Sequence, residues 1–96
     1  MSKKIRTEQV EEFFKAILTL DNVEECFSFF EDVCTTNEIL SIAQRYQVAT
    51  LLMNNFTYQE IADQSGASTA TISRVKRSID DGTGGYAMVM DRITKE

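Results

Sequence analysis

The chain has 96 residues, 43% of them hydrophobic and 26% charged, which makes one domain with a modest core that association with another chain would help to stabilise. It contains no histidine, the commonest general base and metal ligand, and no nucleophile, base and orienting group recur at a usable spacing, so the sequence implies no enzyme, no cofactor and no metal. It has no secretory segment and no apolar run long enough to cross a bilayer, so the expectation is a soluble cytoplasmic protein with no membrane partner.

No proline interrupts the sequence and helix formers dominate it, so the expected fold class is all-α. Met1 to Arg6 carries Lys3, Lys4 and Arg6 without an apolar cluster and reads as a mobile arm. Thr7 then caps a first helix in which Val10, Phe13, Phe14, Ile17 and Leu18 follow the i, i+3, i+4, i+7, i+8 pattern of one apolar face. Asp21 reads as the cap of a second helix, with Glu24 three residues on completing a capping box. Its buried stripe is expected to be Val23, Cys26, Phe27, Phe30, Val33 and Cys34, with Phe29 off the stripe. Cys26 and Cys34 then lie roughly 12 Å apart along one helix, too far to bridge, and read as reduced core residues.

A third and longest helix begins at Thr35 or Thr36 and runs to about Asn54. Ile39, Leu40, Ile42, Ala43, Tyr46, Val48, Ala49, Leu51, Leu52 and Met53 make it apolar around much of its circumference, which predicts burial on more than one side. In so short a chain, that points to the centre of a homodimer. The phenylalanines at 13, 14, 27 and 30 point the same way, because two short helices can hide only part of that surface between them.

The most informative stretch runs from Tyr58 to Arg77. Thr57 and Glu60 form a capping box that opens a short helix, and Ile61 and Ala62 give it a small apolar face. Gly66 stands where the chain must turn sharply, and Ser68 caps a second helix whose Ile72, Val75 and Ile79 share one side. The other side carries Thr69, Thr71, Ser73, Arg74, Lys76 and Arg77: short hydroxyl side chains that can reach base edges or phosphates, and cations that can neutralise a DNA backbone. Counted from Tyr58, a small residue stands fifth, glycine ninth, and branched apolar residues fifteenth and eighteenth. An ordinary helical hairpin has no reason to meet all four constraints, whereas a helix-turn-helix needs each of them.

The net charge of −5 is unusual for such a role, but it is unevenly spread. Residues 7–38 hold nine acids against the single base Lys15, whereas residues 39–79 hold Arg45, Arg74, Lys76 and Arg77 against Glu60 and Asp63. The acidic half is expected to face away from DNA, and non-specific binding should be weak. After Ile79 the run Asp80 to Gly85 reads as a loop; it lacks the preceding strand and the Lys-Ser/Thr of a phosphate-binding motif. Tyr86, Val89, Met90 and Ile93 form the apolar edge of a sixth, closing helix.

The run Gly66-Ala67-Ser68-Thr69-Ala70-Thr71-Ile72-Ser73-Arg74, set among six helices with a long third, resembles the Trp repressor superfamily. Thr57 to Ala62, Arg74 to Arg77 and the Gly85-Tyr86 pair are similar to its YerC/YecD group. The resemblance covers nearly the whole chain as one domain, with residues 58–77 as its helix-turn-helix. It implies an intertwined homodimer that regulates transcription by placing its fifth helix, about residues 68–79, in the major groove of double-stranded DNA. It also implies that Tyr58 and Gln59 contact backbone and bases, that Thr69, Ala70, Thr71 and Ser73 face base edges, that Lys76 and Arg77 hold phosphates, and that Ser68 and Arg74 belong to the same DNA-binding surface. A helical protein-interaction module without specific DNA binding is the competing reading.

In the family's founding member, the tryptophan corepressor lies between two arginines, and a glycine after the second leaves room for it. Here Arg74 matches the second arginine and Ser78 a nearby polar position, but Val75 replaces the glycine. Gln44 falls where the first arginine belongs, with Arg45 one residue away. The implied pocket is therefore altered at two positions, so any small-molecule effector is expected to be something other than tryptophan.

Overall fold

The computed structural model describes residues 4–95, and among them the chain forms six α-helices and no strand. These are α1 (Glu8–Ile17), α2 (Val23–Val33), α3 (Thr36–Met53), α4 (Tyr58–Ser65), α5 (Thr69–Asp81) and α6 (Gly85–Thr94). Lys3, in the basic arm, lies outside the described residues. The helices fall into two compact units, one ending at Thr35 and the other starting at Thr36.

In the first unit, Thr7 caps α1 by accepting the Val10 amide at 3.2 Å. The α2 cap lies one residue later than the sequence suggests. Asn22, not Asp21, accepts the Glu25 amide at 2.9 Å, and the Glu25 carboxylate accepts the Asp21 amide at 2.9 Å. Asp21-Asn22 followed by Glu24-Glu25 offers the same reciprocal pairing in two registers, and the pattern alone does not choose between them.

Phe13 is the centre of this unit. It stacks on Phe29, with centroids 5.9 Å apart and planes at 27°, and meets Phe30 edge-on at 6.3 Å. Phe29 is thus part of the packed cluster and Phe27, 55% exposed, is not, the reverse of the periodicity reading. Adjacent phenylalanines give α2 two possible apolar stripes, and packing against Phe13 selects the Phe29–Phe30 edge. Neither α1 nor α2 contains a fully buried residue. The cysteines are corrected as well: α2 stops at Val33 and Cys34 is its extended C-cap, while Cys26 is exposed, so neither is a core residue.

In the second unit, α3 packs against α4, α5 and α6. The core consists of Val48 and Ala49 from α3, Ile61 from α4, Ala67 from the turn, and Ile72 and Val75 from α5. The second half of α3 is therefore the spine of the unit. Its first half is not covered within a single chain, where Leu40 and Ile42 are 60% and 58% exposed. At the other end, α5 runs two residues beyond the expected stop at Ile79, closing when the Gly82 amide donates to the Ser78 carbonyl at 3.0 Å. A Cβ at residue 82 would collide with that same carbonyl oxygen, so glycine is required there for close approach. Among the described residues, no helix is long and apolar enough to cross a membrane.

Candidate nucleic-acid interface

The site is set by how α4 and α5 begin and how the chain passes between them. At the start of α4 the Thr57 hydroxyl accepts the Glu60 amide at 3.2 Å while the Glu60 carboxylate accepts the Thr57 amide at 2.9 Å, completing the capping box read in the sequence. The backbone bond from Thr57, aided by its hydroxyl, holds the Glu60 carboxyl below its ordinary pKa. At the other end of α4, Gly66 takes a left-handed conformation at φ 72° and donates its amide to Ala62 at 2.9 Å. Open space surrounds the position a Cβ would take, so glycine is needed for the backbone angle and not for room.

Ser65 fastens this turn. Its hydroxyl donates to the Ile61 carbonyl at 2.6 Å and accepts the Ala67 amide at 3.1 Å. The Gln44 side chain donates to the Ser65 carbonyl at 3.1 Å, tying the turn to α3. Ser68 then caps α5 by accepting the Thr71 amide at 3.2 Å, and its hydroxyl also donates to that of Thr71 at 3.2 Å. These bonds employ Ser68 in building the helix end.

Helix α5 divides as the pattern predicted. Ile72 and Val75 are buried, whereas Thr69, Ala70, Ser73, Arg74, Lys76 and Arg77 are exposed and Thr71 is half-buried. Tyr58 and Gln59 are exposed in the first turn of α4. Two polar side chains in this set are engaged one helical turn ahead. Gln59 donates its amide to Asp63 at 3.0 Å, and the Lys76 ammonium is paired with Asp80 at 2.6 Å. The hydrogen bond to Asp80 raises the Lys76 pKa above its ordinary value, helped by the negative charge of Asp80, by Tyr58 and by Asp81. Arg74 and Arg77 have no ion pair among the described residues. The sequence reading named Asp63 and Asp80 but did not pair them with Gln59 and Lys76, although the i, i+4 spacing was visible in it.

The residues of the implied effector pocket differ in exposure. Val75 is 3% exposed among the core side chains, so an isopropyl group fills the space a glycine would leave. Gln44 is half-buried and committed to Ser65, while Arg45, Arg74 and Ser78 are exposed. An open hollow of about 380 Å³ in the same unit is lined instead by Tyr46, Thr50 and Met53 of α3 and Met90, Ile93 and Thr94 of α6.

Residues 8–94 match the family model of the Trp repressor protein. The chain belongs to the Trp repressor family. It is 49% identical over 90 residues to YerC of Bacillus subtilis (strain 168), a protein of uncharacterised function, the match covering 94% of this chain and 86% of YerC. Among solved structures it is similar to a TrpR-like protein from Eubacterium eligens, with a TM-score of 0.94, 52% identity, and 97% of this chain and 96% of that one covered. It is also similar to a candidate Trp repressor from Staphylococcus aureus, with a TM-score of 0.92, 54% identity, and coverage of 97% and 93%. Family membership and the six-helix fold thus agree with the reading of the 66–74 run.

The capping box makes the helix-turn-helix acid-sensitive in one direction. Because the folded Glu60 pKa lies below its unfolded value, the stabilisation is fully present above the unfolded value near 4.5 and is lost as pH falls through the folded one. Glu60→Gln is therefore expected to be less stable than the native chain at neutral pH, with the gap narrowing in acid. Urea denaturation of both proteins at matched concentration, across a series of pH values, checks this.

Proposed function

We propose that the protein is a sequence-specific DNA-binding regulator of transcription that acts in the cytoplasm as a symmetric homodimer, with α5 in the major groove. The observation that carries this reading is the division of α5. Ile72 and Val75 are locked into the core, so the exposed side, Thr69, Ala70, Ser73, Arg74 and Arg77, is held at a fixed orientation. Hydroxyl and methyl groups at the N-terminal end of such a helix suit base edges and thymine methyls, and arginines suit phosphates. Tyr58 and Gln59 extend the surface onto the backbone beside the groove. Membership of the Trp repressor family supports the same reading.

The dimer is supported by what a single chain leaves exposed. Leu18, Val23, Phe27, Leu40 and Ile42 are all more than half exposed, and α1 and α2 have no fully buried residue. A second copy of the chain would cover these residues, and an interface of about 2,000 Å² or more is ordinary for a permanent dimer. Two recognition helices related by a two-fold axis, about 34 Å apart, would read half-sites one turn of B-DNA apart.

Selection from random duplexes is expected to enrich a palindrome with that half-site period, whereas a selection without enrichment would contradict the reading. On the selected duplex, Arg77→Ala is expected to flatten the dependence of log K on log salt by roughly 0.9 per protomer, as loss of one phosphate contact does. Substitution of Thr69 is expected to change which sequence is preferred. L-Tryptophan is not the effector in this proposal, because the Val75 side chain occupies the core and Gln44 is fastened to the turn. Calorimetric titration of the purified protein is expected to show no saturable heat at micromolar tryptophan; saturation with tighter DNA binding would refute this part.

A further inference from the structure

We propose that Asp80 restrains the DNA interface: by holding Lys76 in place, it takes one of the three α5 cations out of phosphate binding and leaves that task to the arginines. The inference rests on the DNA-binding reading above and refines it. Arg74, Lys76 and Arg77 lie on the exposed part of one helix, yet among the described residues only Lys76 has an anionic partner, the Asp80 carboxylate at 2.6 Å. Asp81 adds a second negative charge at the same helix end. An exposed pair one turn apart contributes little to folding, so its main effect is on the charge that an incoming ligand meets.

The consequence follows from counterion release. A free cation that docks on a phosphate displaces the cation condensed there, and each such contact contributes about 0.9 to the slope of log K against log salt. Lys76 brings its own carboxylate to the phosphate, so the pair delivers almost no net charge and little counterion is released. Asp80 therefore lowers the affinity for DNA of every sequence, which reinforces the acidity of the chain as a whole.

The test is fluorescence anisotropy of the full chain on the selected duplex and on a random one, across a range of salt concentrations. Asp80→Asn is expected to tighten binding to both and to steepen the slope by about 0.9 per protomer, or roughly twelve-fold more loss of dimer affinity over a four-fold rise in salt. Adding Lys76→Ala is expected to abolish the steepening. Lys76→Ala alone should leave the slope nearly unchanged, and Asp80→Glu, which keeps the charge, should behave as the native protein. The proposal is overturned if Asp80→Asn leaves the slope unaltered while Arg77→Ala still flattens it. A steepening that survives Lys76→Ala also overturns it, because Asp80 would then be acting as a general repulsion. Failure of the native chain to bind any duplex would overturn the DNA-binding reading itself.

Discussion

The left-handed turn at Gly66 is the constraint on which the rest of the second unit depends. With φ at 72°, the chain leaves α4, buries Ala67 and reaches the Ser68 cap of α5 in three residues. This shortness fixes the angle at which α5 crosses α4, and hence which of its side chains meet Val48 and Ala49. The Ser65 hydroxyl, bonded on both sides of the turn, and the Gln44 amide hold it from below. An alanine at 66 would require a non-glycine residue in a region that side chains disfavour by roughly 1–2 kcal/mol. Part of that energy would be spent tilting the helix proposed to read DNA.

Electrostatics accounts for the other half of the proposed behaviour. The surface proposed for DNA belongs to a chain with net charge −5, and it is not a basic stripe. Gln59 is oriented by Asp63 and Lys76 is paired with Asp80, so carboxylates sit within the surface as well as away from it. Such an arrangement gives up strength on arbitrary DNA, and selectivity must come from a few well-oriented groups at the start of α5. Two copies reading two half-sites would recover the affinity that one weakly charged surface lacks.

Much of this was legible in the sequence, because the features that decide it are local. Thr57 with Glu60, the glycine at 66, the serine at 68 and the Ile72–Val75 spacing each act within one or two helical turns, and the structure realises all four. The second half of α3 was legible too, since Val48 and Ala49 are buried where periodicity put them. What periodicity could not resolve was degenerate or non-local. Two equivalent capping registers hid the start of α2 at Asn22. Adjacent aromatics left open whether Phe27 or Phe29 would pack on Phe13. The fastening of Gln44 to Ser65 spans 21 residues and has no local signature. The long α3 was read as the centre of a dimer that also packs against its own domain, and within one chain Leu40 and Ile42 stay exposed. Their covering is a property of the proposed dimer.

The central claim is that the exposed side of α5, with the first turn of α4, is the surface that meets DNA. Amide chemical-shift mapping of the labelled protein during titration with the selected palindromic duplex tests it most directly. The account predicts that the largest changes cluster at residues 57–59 and 68–77 and that the acidic α1–α2 unit is little affected. Changes concentrated on α1 and α2, with residues 68–77 unmoved, would contradict it.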